Sequence, residues 1–260
     1  MPICRIYTYS GECIKSFNTE DYGSVITIGR SSGCNVSLKG LAENNVSREH
    51  IILKVKGDKI SLESVGHSGV YYNAERIEDT VEAKEGDIFR FSQLFLGIGD
   101  KGCPSDYDLT WEAQTENNQH RAVIWPGVNS VGASRDNYIT VRTEDVSRVH
   151  GQITCEDKLL YYKSAHASLT AEVNGIAVKG DKVELNVGDE LTLCDTVTKV
   201  IKGVRVKQQA VVKRTLSADA GIIKKKKHSW DWSAALVIVL LLVLLITILI
   251  ISVFYDILIS

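Results

Sequence analysis

Two stretches decide how this chain is read: SVITIGR at 24–30 and SREHIILKV at 47–55. Both are short runs rich in β-branched and long apolar residues. Turn-forming residues bound them, with Gly23 before the first and Gly33, Asn35 and Gly40 between the two. Runs broken this often by Gly, Asn and Asp predict strands, and no helical period is sustained across them.

The same texture extends in both directions. Up to about Gly99 the further runs are CRIYTY, KISLES, GVYYN and DIFRFSQLFLGIG, a spacing that predicts a β-sandwich or barrel. A polar stretch, GDKGCPSDYDLTWEAQTENNQH, follows, and its Pro104 and Asn117-Asn118 predict a linker. A second series then runs RAVIWPG, YITVRT, VHGQITC, KLLYYKS, AEVNGIAV, KVELNVGDELTLC and TVTKVIKGVRV. Ser147-Arg148-Val149-His150 corresponds to Ser47-Arg48-Glu49-His50, Asn174 to Asn73, and Val187-Gly188-Asp189 to Glu85-Gly86-Asp87. An internal repeat about one domain long is the economical explanation.

In the first half, Ile28-Gly29-Arg30-Ser31 closes one strand and Ser47-Arg48-Glu49-His50 stands eighteen residues after Gly29, with Gly69 and Asn73 further on. In order and spacing this resembles the forkhead-associated (FHA) domain, a β-sandwich whose loops bind phosphothreonine peptides. The likeness spans nearly the whole first half. It implies that Arg30 and Ser47 grip the phosphate and that Arg48 and Lys39 add charge from the loop. Gly29, His50, Gly69 and Asn73 are expected to support the binding loop. The chemistry suits the match, because a phosphate dianion offers only acceptors and its receptor must supply a guanidinium, a hydroxyl and loop N–H groups.

One departure concerns His67-Ser68-Gly69, where the family usually carries Asn-Gly. Ser68 takes the place of the Asn that bonds the peptide backbone, and one hydroxyl in place of an amide predicts weaker backbone recognition. Gly69 suits a turn that needs positive φ. The second half departs further, with Gly132-Ala133 in place of Gly29-Arg30 and Ser164-Ala165-His166-Ala167-Ser168-Leu169 in place of the Asn-Gly segment. No phosphate site is expected there. Ser147, Arg148 and His150 are read as keeping the fold, and the half as packing against the first or holding a protein partner.

The last part of the chain differs in kind. Residues 233–255 read SAALVIVLLLVLLITILIISVFY, an uncharged run that as a helix reaches roughly 30 Å, enough to span a bilayer once. Lys224 to Lys227 precede it, which predicts that the N-terminal region is cytoplasmic and the C-terminus lies across the membrane, a tail-anchored topology. Trp230 and Trp232 suit the interface. The expected organisation is all-β, two tandem FHA-like β-sandwiches followed by a single transmembrane helix: sandwich 1 at 1–99, linker 100–119, a degenerate sandwich 2 at 120–207, a basic juxtamembrane linker 208–232 and the span 233–255.

With 44% apolar and 24% charged residues and a net charge of -2, the chain has the composition of an ordinary globular protein rather than a nucleic-acid coat. Six cysteines without CxxC spacing, behind an N-terminus with no signal-peptide pattern, predict reduced and mostly buried thiols. No P-loop, GxSxG or HExxH is present, so no enzyme, cofactor or metal site is expected. The expected function is a membrane-anchored docking or scaffold protein that binds a threonine-phosphorylated partner, downstream of a Ser/Thr kinase. The alternative is a phosphate-independent structural subunit of a membrane machine such as a type VII-like secretion apparatus, whose membrane ATPase the chain resembles in architecture.

Overall fold

Each apolar run folds as a strand because β-branched and aromatic side chains fit a pleated surface with one face buried. The computed structural model describes residues 2–41, 45–113, 116–166, 168–178 and 181–205. The chain divides into Met1–Val206 and Lys207–Ser260. The expected juxtamembrane linker 208–232 and membrane span 233–255 lie outside the described residues. Among the described residues no helix is long and apolar enough to cross a membrane.

Eleven strands make up the first half: β1 (Ile3–Thr8), β2 (Cys13–Asn18), β3 (Val25–Gly29), β4 (Val36–Ser37), β5 (Ile51–Lys56), β6 (Lys59–Ser64), β7 (Val70–Tyr72), β8 (Glu75–Arg76), β9 (Val81–Ala83), β10 (Ile88–Phe91) and β11 (Leu94–Ile98). Eleven more follow: β12 (Tyr107–Ala113), β13 (Glu116–Val123), β14 (Gly127–Gly132), β15 (Ile139–Thr140), β16 (Gly151–Glu156), β17 (Leu159–Ser164), β18 (Ala171–Val173), β19 (Ile176–Ala177), β20 (Val183–Leu185), β21 (Glu190–Leu193) and β22 (Thr196–Lys202). The first set forms sheets ordered β2-β1-β11-β10-β7-β8 and β4-β3-β5-β6-β9; the second forms β13-β12-β22-β21-β18-β19 and β15-β14-β16-β17-β20. Strand for strand, the second half repeats the order of the first.

The two sheets of the first half enclose one core. Ile26 and Ile28 of β3, Ile51 and Leu53 of β5 and Leu62 of β6 are fully buried against Ile6 of β1, Phe89 and Phe91 of β10 and Leu96 of β11. A separate core in the second half gathers Val131, Ile153 and Tyr162 with Leu109, Leu191 and Val200.

β10 and β11 break the usual in-and-out alternation, since every residue of both is buried. A strand buried on both faces must be covered on both. Their outer face is covered by the second half, where Tyr7, Ile88 and Phe95 cluster with Val123, Trp125 and Tyr138. Phe95 stacks on Trp125 with ring centroids 4.1 Å apart and meets Tyr138 edge-on at 5.6 Å. Polar groups at this seam are paired across it: the Tyr138 hydroxyl donates to the Tyr71 carbonyl at 3.0 Å, and the Tyr9 hydroxyl accepts from the Thr140 N–H at 2.8 Å.

The stretch 100–119, expected as a linker, contains strand β12 and the start of β13. β12 pairs with β22 from Tyr107↔Lys202 to Trp111↔Thr198. Leu109 and Trp111 enter the second core. Just ahead of them in β12, fully buried Asp108 is ion-paired to both Arg121 of β13 and Arg205 beyond β22. Charge neutralisation by distant arginines, rather than solvent, is what Asp108 requires.

All six cysteines are free, but only Cys4 and Cys155 are buried, and Cys103 is exposed. The expectation of mostly buried thiols fails because Cys34, Cys103 and Cys194 fall in loops and turns. Burial pushes the Cys4 thiol up to about 12.

Candidate functional site

β3 ends where two loops must be held together. The Arg30 N–H donates to the Ser47 carbonyl and the Ser31 N–H to the Arg48 carbonyl, both at 3.0 Å; the Leu38 N–H donates to the Gly29 carbonyl and the His50 N–H to the Ile28 carbonyl, both at 2.8 Å. The backbones approach so closely that a Cβ on Gly29 would stand 2.8 Å from the Arg48 carbonyl carbon and from Glu49 Cα. Only glycine fits there. The Cys34 thiol donates to the Arg48 carbonyl at 3.1 Å, and the Asn35 side-chain oxygen accepts from the Thr27 N–H at 2.9 Å, so the first loop is pinned at both ends.

His50 fixes the second loop from beneath. It is fully buried, and its Nδ1 accepts from the Ser47 N–H at 3.0 Å. A backbone N–H can only donate, so Nδ1 is unprotonated and Nε2 carries the hydrogen that goes to the Gly69 carbonyl at 3.1 Å. Burial holds the imidazole below its ordinary pKa, which keeps it neutral and this tautomer fixed. Gly69 sits at φ 72°. One ring thereby links the Ser47 loop to the 67–69 turn.

On this frame, Arg30 is exposed and its guanidinium has no hydrogen-bond or ion-pair partner among the described residues. The Ser47 Oγ accepts from the His67 N–H at 3.0 Å, which leaves its hydroxyl hydrogen free to donate. Arg30 and Ser47 are joined through their backbones, so cation and hydroxyl issue from the same end of the first sandwich. Arg48 and Lys39 are also exposed there, Lys39 next to the Leu38 that is bonded to Gly29. Ser68 is otherwise engaged: its hydroxyl donates to the Asn45 carbonyl at 3.3 Å, tying the two loops together.

Asn73 does not join this group. It occupies the β7–β8 turn at φ 48°, and its side-chain oxygen accepts from the Val128 N–H of the second half at 3.3 Å. It supports the seam rather than the loops. Conversely, sequence reasoning passed over Arg76, a half-exposed arginine of β8 whose Nε would lie 2.8 Å from a Cβ on Gly69. A cation three residues beyond a turn Asn carries no motif, so only the fold reveals that it adjoins the site.

The second half reproduces the clamp without its cation. The Ala133 N–H donates to the Ser147 carbonyl at 2.9 Å, the Ser134 N–H to the Arg148 carbonyl at 3.1 Å and the His150 N–H to the Val131 carbonyl at 2.8 Å. His150 Nε2 donates to the Thr170 carbonyl at 3.1 Å.

Residues 26–92, about a quarter of the chain, match the family model described as the FHA domain. The segment contains Arg30, Ser47, His50 and Gly69. No curated protein matches the chain. Among solved structures, the chain is similar to one from a structural and functional analysis of phosphothreonine-dependent FHA domain interactions, with 18% identity, 39% of this chain and 100% of that chain covered, and a TM-score of 0.33. It is similar to the FHA domain of the CT664 protein from Chlamydia trachomatis, with 16% identity, 38% and 100% covered, and a TM-score of 0.34. A third is Mycobacterium tuberculosis EmbR in complex with a low affinity phosphopeptide, with 18% identity, 38% and 25% covered, and a TM-score of 0.32.

Proposed function

We propose that this protein is a docking module, not a catalyst: its first sandwich binds a threonine-phosphorylated partner through Arg30 and Ser47, and residues 233–255 hold it at the cytoplasmic face of a membrane. The observation that carries the reading is the pairing of an uncommitted, exposed guanidinium with a hydroxyl whose oxygen already accepts from His67 and whose hydrogen is free. That set supplies donors to an acceptor-only dianion. Arg48 and Lys39 add positive charge at the same end, and Arg76 is proposed as a further cation beside Gly69. Ser68 contributes loop rigidity, because its hydroxyl is bonded to Asn45. Beside the expected division into 1–99 and 120–207, the second module is proposed to begin at β12, to be a degenerate FHA-like copy, and to act as a platform for the first. A kinase acting on threonine lies upstream in this scheme. Membrane confinement raises local concentration, so a modest phosphopeptide affinity suffices for stable assembly.

The test uses the full chain in detergent micelles. A phosphothreonine peptide pool should be retained, its dephosphorylated form released, and retention lost in Arg30→Ala. Equal retention of both pools by parent and variant would remove the phosphate-dependent reading and leave a phosphate-independent subunit. For topology, protease added to intact cells should spare the N-terminal region and digest it after lysis; digestion in intact cells would overturn the cytoplasmic assignment.

A further inference from the structure

The seam between the two halves encloses a cleft of about 330 Å³ whose charged lining is of one sign. Arg90 comes from the first half and Arg121, Arg135 and Arg142 from the second; none of the cleft's lining residues is Asp or Glu. Arg121 is committed to Asp108. Arg135 and Arg142 are exposed, and their side chains have no hydrogen-bond or ion-pair partner among the described residues. Asp136 lies next in sequence, but its carboxylate accepts from the Ser134 hydroxyl at 3.3 Å and is not part of the cleft wall.

A second observation is independent of these surface cations. Arg90 is only 3% exposed, yet it has no carboxylate partner. Its Nη1 donates to the Ser92 carbonyl at 2.9 Å and its Nη2 to the Asp136 carbonyl at 2.5 Å, its guanidinium lies 4.4 Å from the centroid of the Tyr71 ring, and its Nε–H has no partner. A desolvated cation without a counter-charge is expensive, and buried charges are ordinarily paired. The cleft stands where such a counter-charge would be placed.

We propose that this cleft is a second anion site that takes a phosphomonoester dianion, held directly by Arg135 and Arg142 and backed by Arg90. Arginines present planar forks of N–H donors that match the oxygens of a phosphate, and several of them around one space favour a multiply charged oxyanion over a single carboxylate. The site shares no residue with the Arg30 and Ser47 end and does not depend on it.

The experiment uses the full chain in detergent micelles carrying Arg30→Ala, which silences the first site. Inorganic phosphate and O-phosphothreonine are titrated by calorimetry against chloride at matched ionic strength. Binding should persist in this background and weaken by about 10-fold or more when Arg135→Gln and Arg142→Gln are added, as expected for losing charge-assisted bonds. The melting temperature in chloride should stay unchanged, because both side chains are exposed. Tighter binding of O-phosphothreonine than of phosphate supports the site with a phosphorylated chain as its source; equal binding supports it with free phosphate. Loss of all phosphate binding in Arg30→Ala, or undiminished binding after the two glutamine substitutions, would overturn the cleft site. Either result would leave the Arg30 reading to stand or fall by its own test.

Discussion

Gly29→Ala should damage both the fold and the proposed phosphopeptide end, whereas Gly132→Ala should damage the fold alone. At Gly29 the added methyl would meet the Arg48 carbonyl carbon and Glu49 Cα at 2.8 Å, and these backbone atoms cannot rotate away. Relief requires parting residue 29 from 47–49, which stretches the two 3.0 Å bonds from Arg30 and Ser31 to the Ser47 and Arg48 carbonyls. Two backbone hydrogen bonds at about 1 kcal/mol each, with overpacking strain of about 1–3 kcal/mol, give a loss of roughly 3–5 kcal/mol. For a cooperative unit of this size that corresponds to a melting temperature lower by roughly 6–20 °C. Gly132 is equally crowded, its Cβ falling 2.8 Å from the Ser147 carbonyl oxygen and 2.9 Å from the Arg148 carbonyl carbon, so its stability cost should be similar. Circular dichroism melts of the full chain measure the first effect. Phosphopeptide titration at a temperature where both variants are folded measures the second. Gly29→Ala should bind at least about 10-fold more weakly, since Arg30 and Ser47 are displaced from each other, and Gly132→Ala should bind as the parent does. Equal loss of binding in the two variants would mean that peptide affinity reports global stability, and unchanged melting would mean the loops are not clamped as described.

Asp108→Ala removes the shared partner of Arg121 and Arg205, whose side chains are 44% and 20% exposed. Breaking a buried pair costs about 3–5 kcal/mol, and solvent access to the arginines lowers this to about 2–3 kcal/mol. Chemical denaturation would refute the assignment by showing a loss below about 1 kcal/mol. Acidification should also weaken the fold, because burial depresses both His50 and His150 below the ordinary histidine value. The unfolded chain then binds protons that the native state refuses. Stability is full above about pH 6.5 and falls as pH drops from there, by up to about 1.4 kcal/mol per pH unit for each histidine. A melting temperature that stays flat between about pH 7.5 and 5.5 would contradict neutral, buried imidazoles.

What the sequence made legible were backbone demands. Gly29, Gly69 and the paired Ser-Arg-x-His stretches each encode a close approach or a loop brace that few residues satisfy, and such demands leave the same mark wherever they recur. What stayed illegible was long-range partnership. Pro104 and Asn117-Asn118 made 100–119 read as linker, and the arginine partners that let Asp108 sit buried in β12 stand 13 and 97 residues away. The DIFRFSQLFLGIG run read as strand but could not say that Ile88 and Arg90 face the second half. Asn73 looked like loop support and proved to bond Val128, again across the seam.

The seam also gives the clamp of the second half, which carries Ala133 where the first half carries Arg30, a structural use. In the first half the loop after β3 carries exposed Arg30; in the second, the loop after β14 carries exposed Arg135 and also meets the first half. The Asp136 carbonyl receives Arg90, Tyr138 is buried against Phe95, and the Thr140 N–H meets Tyr9. Each of these contacts depends on where the loop backbone stands, and that is set by the bonds from Ala133, Ser134 and His150. Ala133 itself packs against the second core. The same set of backbone bonds thus serves two ends: in the first half it positions an exposed cation, and in the second it positions the backbone groups that Arg90 and Tyr9 meet across the seam.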